Sequence, residues 1–144
     1  MKIWVVVASA ARARVFERTG IKGPLTEKAD LVNPQERLLR QDIEADRPGR
    51  ATDRRGGQRH GVASKTDPKE QQARRFADDV VAMLEERRRG KSFELLYLVS
   101  SPHFLGLLRE RMGRELAAMV KAESAKDLTH EKADSLQQHL LALF

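Results

Sequence analysis

No cysteine occurs among the 144 residues, so neither a disulfide framework nor a thiolate metal site can hold the chain together. That fits a reducing compartment. Long hydrophobic runs are missing too. The first apolar run, Ile3 to Ala8, is too short to cross a bilayer and lacks the small-residue cleavage pattern of a secretory leader. A soluble, cytoplasmic protein with no transmembrane segment is expected. Aromatic residues make up only 5% of the chain. Trp4, Phe16, Phe76, Phe93, Tyr97 and Phe104 all fall on expected core faces. A reader of single strands needs exposed rings beside its cations, so contact with phosphates and shape fits better. The four histidines (His60, His103, His130, His139) have no metal-ligand spacing. Ser100, Ser101 and His103 read as the start of a helix rather than as a nucleophile with its base. No phosphate-binding glycine loop of a standard kind is present. Neither a metal nor a small-molecule cofactor is expected, and the residues alone leave open whether the protein is an enzyme.

What is abundant is positive charge. The chain carries 27 Lys and Arg against 21 Asp and Glu, a net +6. From Arg47 to Lys65 stand six cations, Arg47, Arg50, Arg54, Arg55, Arg59 and Lys65, against one acid, Asp53. This short stretch therefore carries +5, nearly the whole excess, and the remainder is close to neutral. Such a balance favours a polyanionic partner.

The length suits one domain, able to bury roughly 68% of its unfolded surface. Ile3–Ala8 is continuous, apolar and β-branched, which predicts a strand buried on both faces. Arg12–Arg18 alternates, with Ala13, Val15 and Glu17 on one side and Arg14, Phe16 and Arg18 on the other. That pattern predicts a strand with a partly wet face, antiparallel to the first across Ser9–Ala11. Gly20–Pro24 is a turn and Leu25–Leu31 a third strand. After Ile43 apolar side chains become scarce, and Pro48, Gly49, Gly56, Gly57 and Gly61 break the chain. An exposed, mobile loop is expected over about 44–66. Asp67-Pro68-Lys69-Glu70 reads as a cap, a first helical position and a capping box. Ala73, Phe76, Ala77, Val80, Val81 and Leu84 then keep helical spacing to a stop at Gly90. Phe93–Val99 predicts a buried strand, and Ser101-Pro102 opens a helix with Phe104, Leu107, Leu108 and Met112 inward. Leu116–Glu123 is ambiguous and is read as a helix end followed by a strand. Thr129 predicts the cap of a last helix reaching Leu143, with Ala133, Leu136 and Leu140 inward. A single α/β domain over residues 1–144 follows, a mixed sheet flanked by helices with one long basic, Gly-rich loop.

Within that loop, Arg54-Arg55-Gly56-Gly57-Gln58-Arg59-His60 sets a Gly-Gly-Gln tripeptide among cations. Paired glycines let the main chain approach a ligand closely, and the glutamine amide both donates and accepts hydrogen bonds. The flanking arginines can hold phosphates. The same residues also make an ordinary solvated glycine loop, and both readings stand.

Several blocks in order resemble the bacterial host-attachment family: Trp4-Val5-Val6-Val7-Ala8, Arg12-Ala13-Arg14-Val15-Phe16, Asp30-Leu31-Val32-Asn33-Pro34 and Asp46-Arg47-Pro48-Gly49-Arg50. Thr66-Asp67-Pro68-Lys69-Glu70, Phe104-Leu105-Gly106-Leu107-Leu108 and Lys126-Asp127-Leu128-Thr129-His130 continue the match. That family is similar in fold to the middle domain of archaeal and eukaryotic peptide-chain release factors, where a Gly-Gly-Gln tip promotes hydrolysis of peptidyl-tRNA. The resemblance puts Gly56, Gly57 and Gln58 at the catalytic tip. It makes Arg47, Arg50, Arg54, Arg55, Arg59, His60 and Lys65 contacts to ribosomal RNA or tRNA. It implies a ribosome-binding protein of translation or ribosome rescue. The alternatives are a peptidyl-tRNA hydrolase acting at the ribosome, and a host-attachment or surface-interaction protein that binds acidic polymers.

Overall fold

The computed structural model describes residues 1–20, 23–34 and 67–143. The segment 44–66, with every candidate residue of the Gly-Gly-Gln tip and its flanking cations, lies outside the described residues.

Five strands form one sheet in the order β3-β2-β1-β4-β5. β1 (Lys2–Ala8), β2 (Arg12–Thr19) and β3 (Thr26–Val32) make an antiparallel meander. β4 (Leu95–Ser100) then lies parallel to β1, and β5 (Val120–Ser124) parallel to β4. β1 is central, and its six residues Ile3–Ala8 are all buried, as a continuous apolar run requires.

Strand alternation divides the core in two. Trp4, Val6, Ala8, Ala13 and Val15 face α1 (Pro68–Arg89) and α2 (Pro102–Arg111). Ile3, Val5, Val7, Phe16, Tyr97 and Val99 face the other way, where Leu136 and Leu140 of α4 (Ala133–Leu143) cover them. A short helix, α3 (Arg114–Ala118), leads into β5, so the ambiguous stretch is a helix end followed by a strand. α1 buries the six residues expected of it. All six expected core aromatics are buried.

Five details depart from expectation. β2 has no wet face: Arg14, Phe16 and Arg18 are 8%, 1% and 2% exposed because α4 and the turn before it lie over them. Glu70 does not complete a capping box. Asp67 Oδ1 accepts from the Lys69 amide at 3.0 Å, while Glu70 turns to Arg74 and His103. Thr129 does not cap α4 either, since its amide and hydroxyl both donate to Asp127 Oδ1, at 3.1 and 2.6 Å. Ala133 is exposed, at the first turn of α4. β4 starts at Leu95 rather than Phe93, whose ring is buried just ahead of the strand.

Gly90 ends α1, but with an ordinary φ of −79°. The left-handed conformation falls one residue later, on Lys91 at φ 58°. The Lys91 and Ser92 amides donate back to the Arg88 and Arg87 carbonyls at 2.9 and 3.0 Å.

Candidate functional site

The chain leaves β3 at Asn33 and re-enters the described structure at Asp67, and one residue ties those two points together. Asn33 is only 3% exposed. Its amide donates to the Ala11 carbonyl at 2.9 Å. Its side-chain Nδ2 donates to the carbonyls of Ala10 at 3.0 Å and Gln72 at 3.5 Å. Asn33 thus joins the end of β3, the β1–β2 turn and the first turns of α1. The turn it grips is itself closed: Ser9 Oγ accepts from the Ala11 amide at 3.2 Å, and the Ser9 amide donates to the Arg12 carbonyl at 2.8 Å.

The same end of the sheet holds the carboxyl ends of β1 and β4. The Ser101 amide donates to the Ala8 carbonyl at 3.2 Å, which fixes where α2 begins. Buried Ser100 donates its hydroxyl to the Ser101 carbonyl at 3.1 Å. Ser101 stands at the N-cap just before Pro102, but its side chain makes no capping bond. Glu70 then bridges the two helices, with Oε1 2.7 Å from His103 Nε2 and Oε2 accepting from Arg74 Nε at 3.2 Å. Two helix amino ends, of 22 and 10 residues, are held side by side beneath the exit and return of the 35–66 connection. Each helix amino end carries partial positive charge from its aligned peptide dipoles.

The Glu70 carboxyl sits below the usual carboxylate range, chiefly through its hydrogen bond with His103 and further through the charges of His103 and Arg74. A depressed folded value gives stability that is present above the unfolded carboxylate range and lost as pH falls through the folded one. Glu70→Gln is therefore expected to flatten the acid limb of stability below about pH 4.5, the ordinary range of a glutamate. Urea unfolding at pH 3 to 7 checks it, and an unchanged acid limb would refute the bridge. The effect is small because both partners are solvent-facing.

On the far side of the sheet, Arg14 performs a comparable join. Nη1 donates to the carbonyls of Thr129 and Glu131 at 3.3 and 2.6 Å, and Nε to Glu27 Oε2 at 3.3 Å. It fastens the 127–131 turn over β2 and leaves His130 exposed.

Sequence reasoning missed Asn33, Arg14 and the Glu70–His103 bridge as positioning residues. Asn33 and Glu70 belong to motifs noticed along the chain, but a spacing pattern cannot show contacts between residues 33 or 39 positions apart. Among the described residues, no group of three or more histidine, aspartate or glutamate side chains could hold a metal ion. Among the same residues, no helix is long and apolar enough to cross a membrane.

A mixed five-stranded α/β sheet whose carboxyl end carries a long basic connection is the class that this geometry defines. The chain belongs to the family described as "Protein required for attachment to host cells", which it matches over residues 4–140, from β1 into α4. No curated protein matches the chain.

Proposed function

We propose that this protein binds structured RNA, with the ribosome as its target, through the cationic segment 44–66. The concentration of +5 between Arg47 and Lys65 is the observation that carries this reading. The frame is compatible with it. Asn33 and the first turns of α1 hold the two ends of the connection together, above helix amino ends that favour phosphate. The contacts to ribosomal RNA or tRNA fall to Arg47, Arg50, Arg54, Arg55, Arg59, His60 and Lys65. Gly56, Gly57 and Gln58 form the tip. In a hydrolytic version of the same reading, Gln58 orients a water against the peptidyl ester while ribosomal RNA supplies most of the site. A second reading follows from the family description: the same cations engage acidic polymers at a cell surface.

Sedimentation of the tagged protein with ribosomes through sucrose, at two salt concentrations, tests the proposal. Co-sedimentation at low salt that weakens at high salt is expected. Free protein at both salts, with retention on an acidic polysaccharide, would replace the ribosome by the surface. Gln58→Ala separates a catalyst from a clamp. Ribosome affinity is expected to stay nearly intact, because one neutral amide adds little beside five net charges. Release of peptide from peptidyl-tRNA falls only if the tip positions the attacking water.

A further inference from the structure

At the opposite end of the sheet from Asn33, the amino ends of β1 and β4 and the carboxyl end of α1 line an open cleft of about 780 Å³. That volume lies within the range of small-molecule sites. Its wall mixes two chemistries. Phe93 and Met119 supply apolar surface, while Lys2, Arg88 and Lys91 supply three cations against one carboxylate, Glu94.

These cations are differently prepared. Arg88 is held from behind: Nε donates to Glu85 Oε1 at 3.0 Å and Nη2 to Glu115 Oε1 at 3.5 Å. Its Nη1 has no partner among the described residues. Glu85 is itself braced by the Gly113 amide at 3.2 Å. Glu94 accepts from the Lys2 amide at 2.9 Å, which partly occupies the one acid. Lys91 makes no ion pair among the described residues, and its backbone sits at φ 58° directly after a glycine that takes φ −79°. An L side chain in that region costs energy that glycine would avoid. Strain of this kind concentrates where a side chain is required for binding. Here it sets a lysine on the wall of the cleft.

We infer that this cleft binds a small amphipathic anion, a phosphate or carboxylate carried on an apolar body. Lys91, Arg88 and Lys2 take the charged group, and Phe93 and Met119 the body. None of these residues belongs to the 44–66 segment, and the inference does not rest on the ribosome reading. A reporter is built in: the chain's single tryptophan, Trp4, lies 4.9 Å from Phe93, centroid to centroid. Filling the cleft against Phe93 changes the surroundings of the indole.

The test uses the full chain and four probes: octyl phosphate, octanoate, octanol and inorganic phosphate. Binding is followed by calorimetry and by tryptophan fluorescence. Saturable binding of octyl phosphate or octanoate is expected, and which of them binds tighter identifies the headgroup. Octanol and inorganic phosphate should each bind about tenfold more weakly or worse, since each lacks half of the recognition. Lys91→Gly removes the cation and relieves the left-handed strain. It should weaken octyl phosphate about tenfold while its melting temperature stays at or above that of the wild type. Lys91→Asn, which tolerates the same φ, should behave likewise. No heat and no fluorescence change with either amphiphile would overturn the inference. So would equal affinity in Lys91→Gly, or equal binding of octanol and octyl phosphate.

Discussion

Under the RNA-binding proposal, replacing Arg54, Arg55 and Arg59 together by alanine is expected to lower affinity for RNA by about a hundredfold near 0.1 M salt and to flatten its salt dependence. The expectation follows from counterion release. With a single-stranded RNA as the probe of phosphate contact, about five cations neutralising phosphates give a log–log slope of about −3.5. Removing three leaves a slope of about −1.4. Between those lines, a tenfold dilution of salt below 1 M opens a gap of about two decades. The loss should be similar for unrelated RNA sequences, because phosphates carry no sequence information. Filter binding across a salt series measures both slope and intercept. Wild-type affinity in the triple variant would remove these three arginines from the interface.

Arg18→Met is expected to stabilise the fold by about 2 kcal/mol. Arg18 is 2% exposed, and its Nε and Nη1 have no hydrogen-bond partner among the described residues. It faces the same side of the sheet as Ile3 and Phe16, with its guanidinium 5.6 Å from the Tyr97 ring centroid. Each unsatisfied buried donor costs about 1–3 kcal/mol. A desolvated cation over an aromatic face returns up to about 2 kcal/mol, so the balance remains against the charge. Methionine keeps an unbranched apolar stem of comparable reach and has no donor to satisfy. A gain of this size raises the melting temperature of a chain this long by about 4–8 °C. Calorimetry and urea unfolding on both proteins decide it. A destabilised Arg18→Met would mean that the guanidinium is held by more than the ring.

Arg14 and Arg18 also show where reading a sequence stops. The alternation Arg12–Arg18 places Arg14, Phe16 and Arg18 on one face, and they do share it. Charge suggested that this face is wet. The decisive partner is the carbonyl of Glu131, 117 positions away, with α4 laid over the strand. No local pattern encodes that contact. β1 was legible because a continuous apolar run has few other uses, and α1 because six inward residues keep a helical period over three turns. Single-residue caps were less legible. Glu70 and Thr129 are each chemically able to cap a helix end, but Glu70 pairs with His103 across the tertiary structure and Thr129 turns back to Asp127 two residues earlier. For the candidate site, the excess charge between Arg47 and Lys65 could be counted directly. The Asn33 clamp could not, because its partners lie on two other elements, the β1–β2 turn and α1, far from it in sequence.

That clamp has a consequence for how the family can vary. When two points of a chain are held together by the fold itself, the entropy of closing the segment between them depends only logarithmically on its length. Doubling such a segment costs about 0.6 kcal/mol. Asn33 and the first turns of α1 are such points, joined by a bond to Gln72 that uses no residue of the connection. The scaffold therefore exerts almost no selection on what is strung between them. Length, glycine content and charge can be exchanged there wholesale, while β1, β4 and α1 pay little thermodynamic penalty. Relatives with the same sheet can accordingly carry quite different chemistries at this one gate.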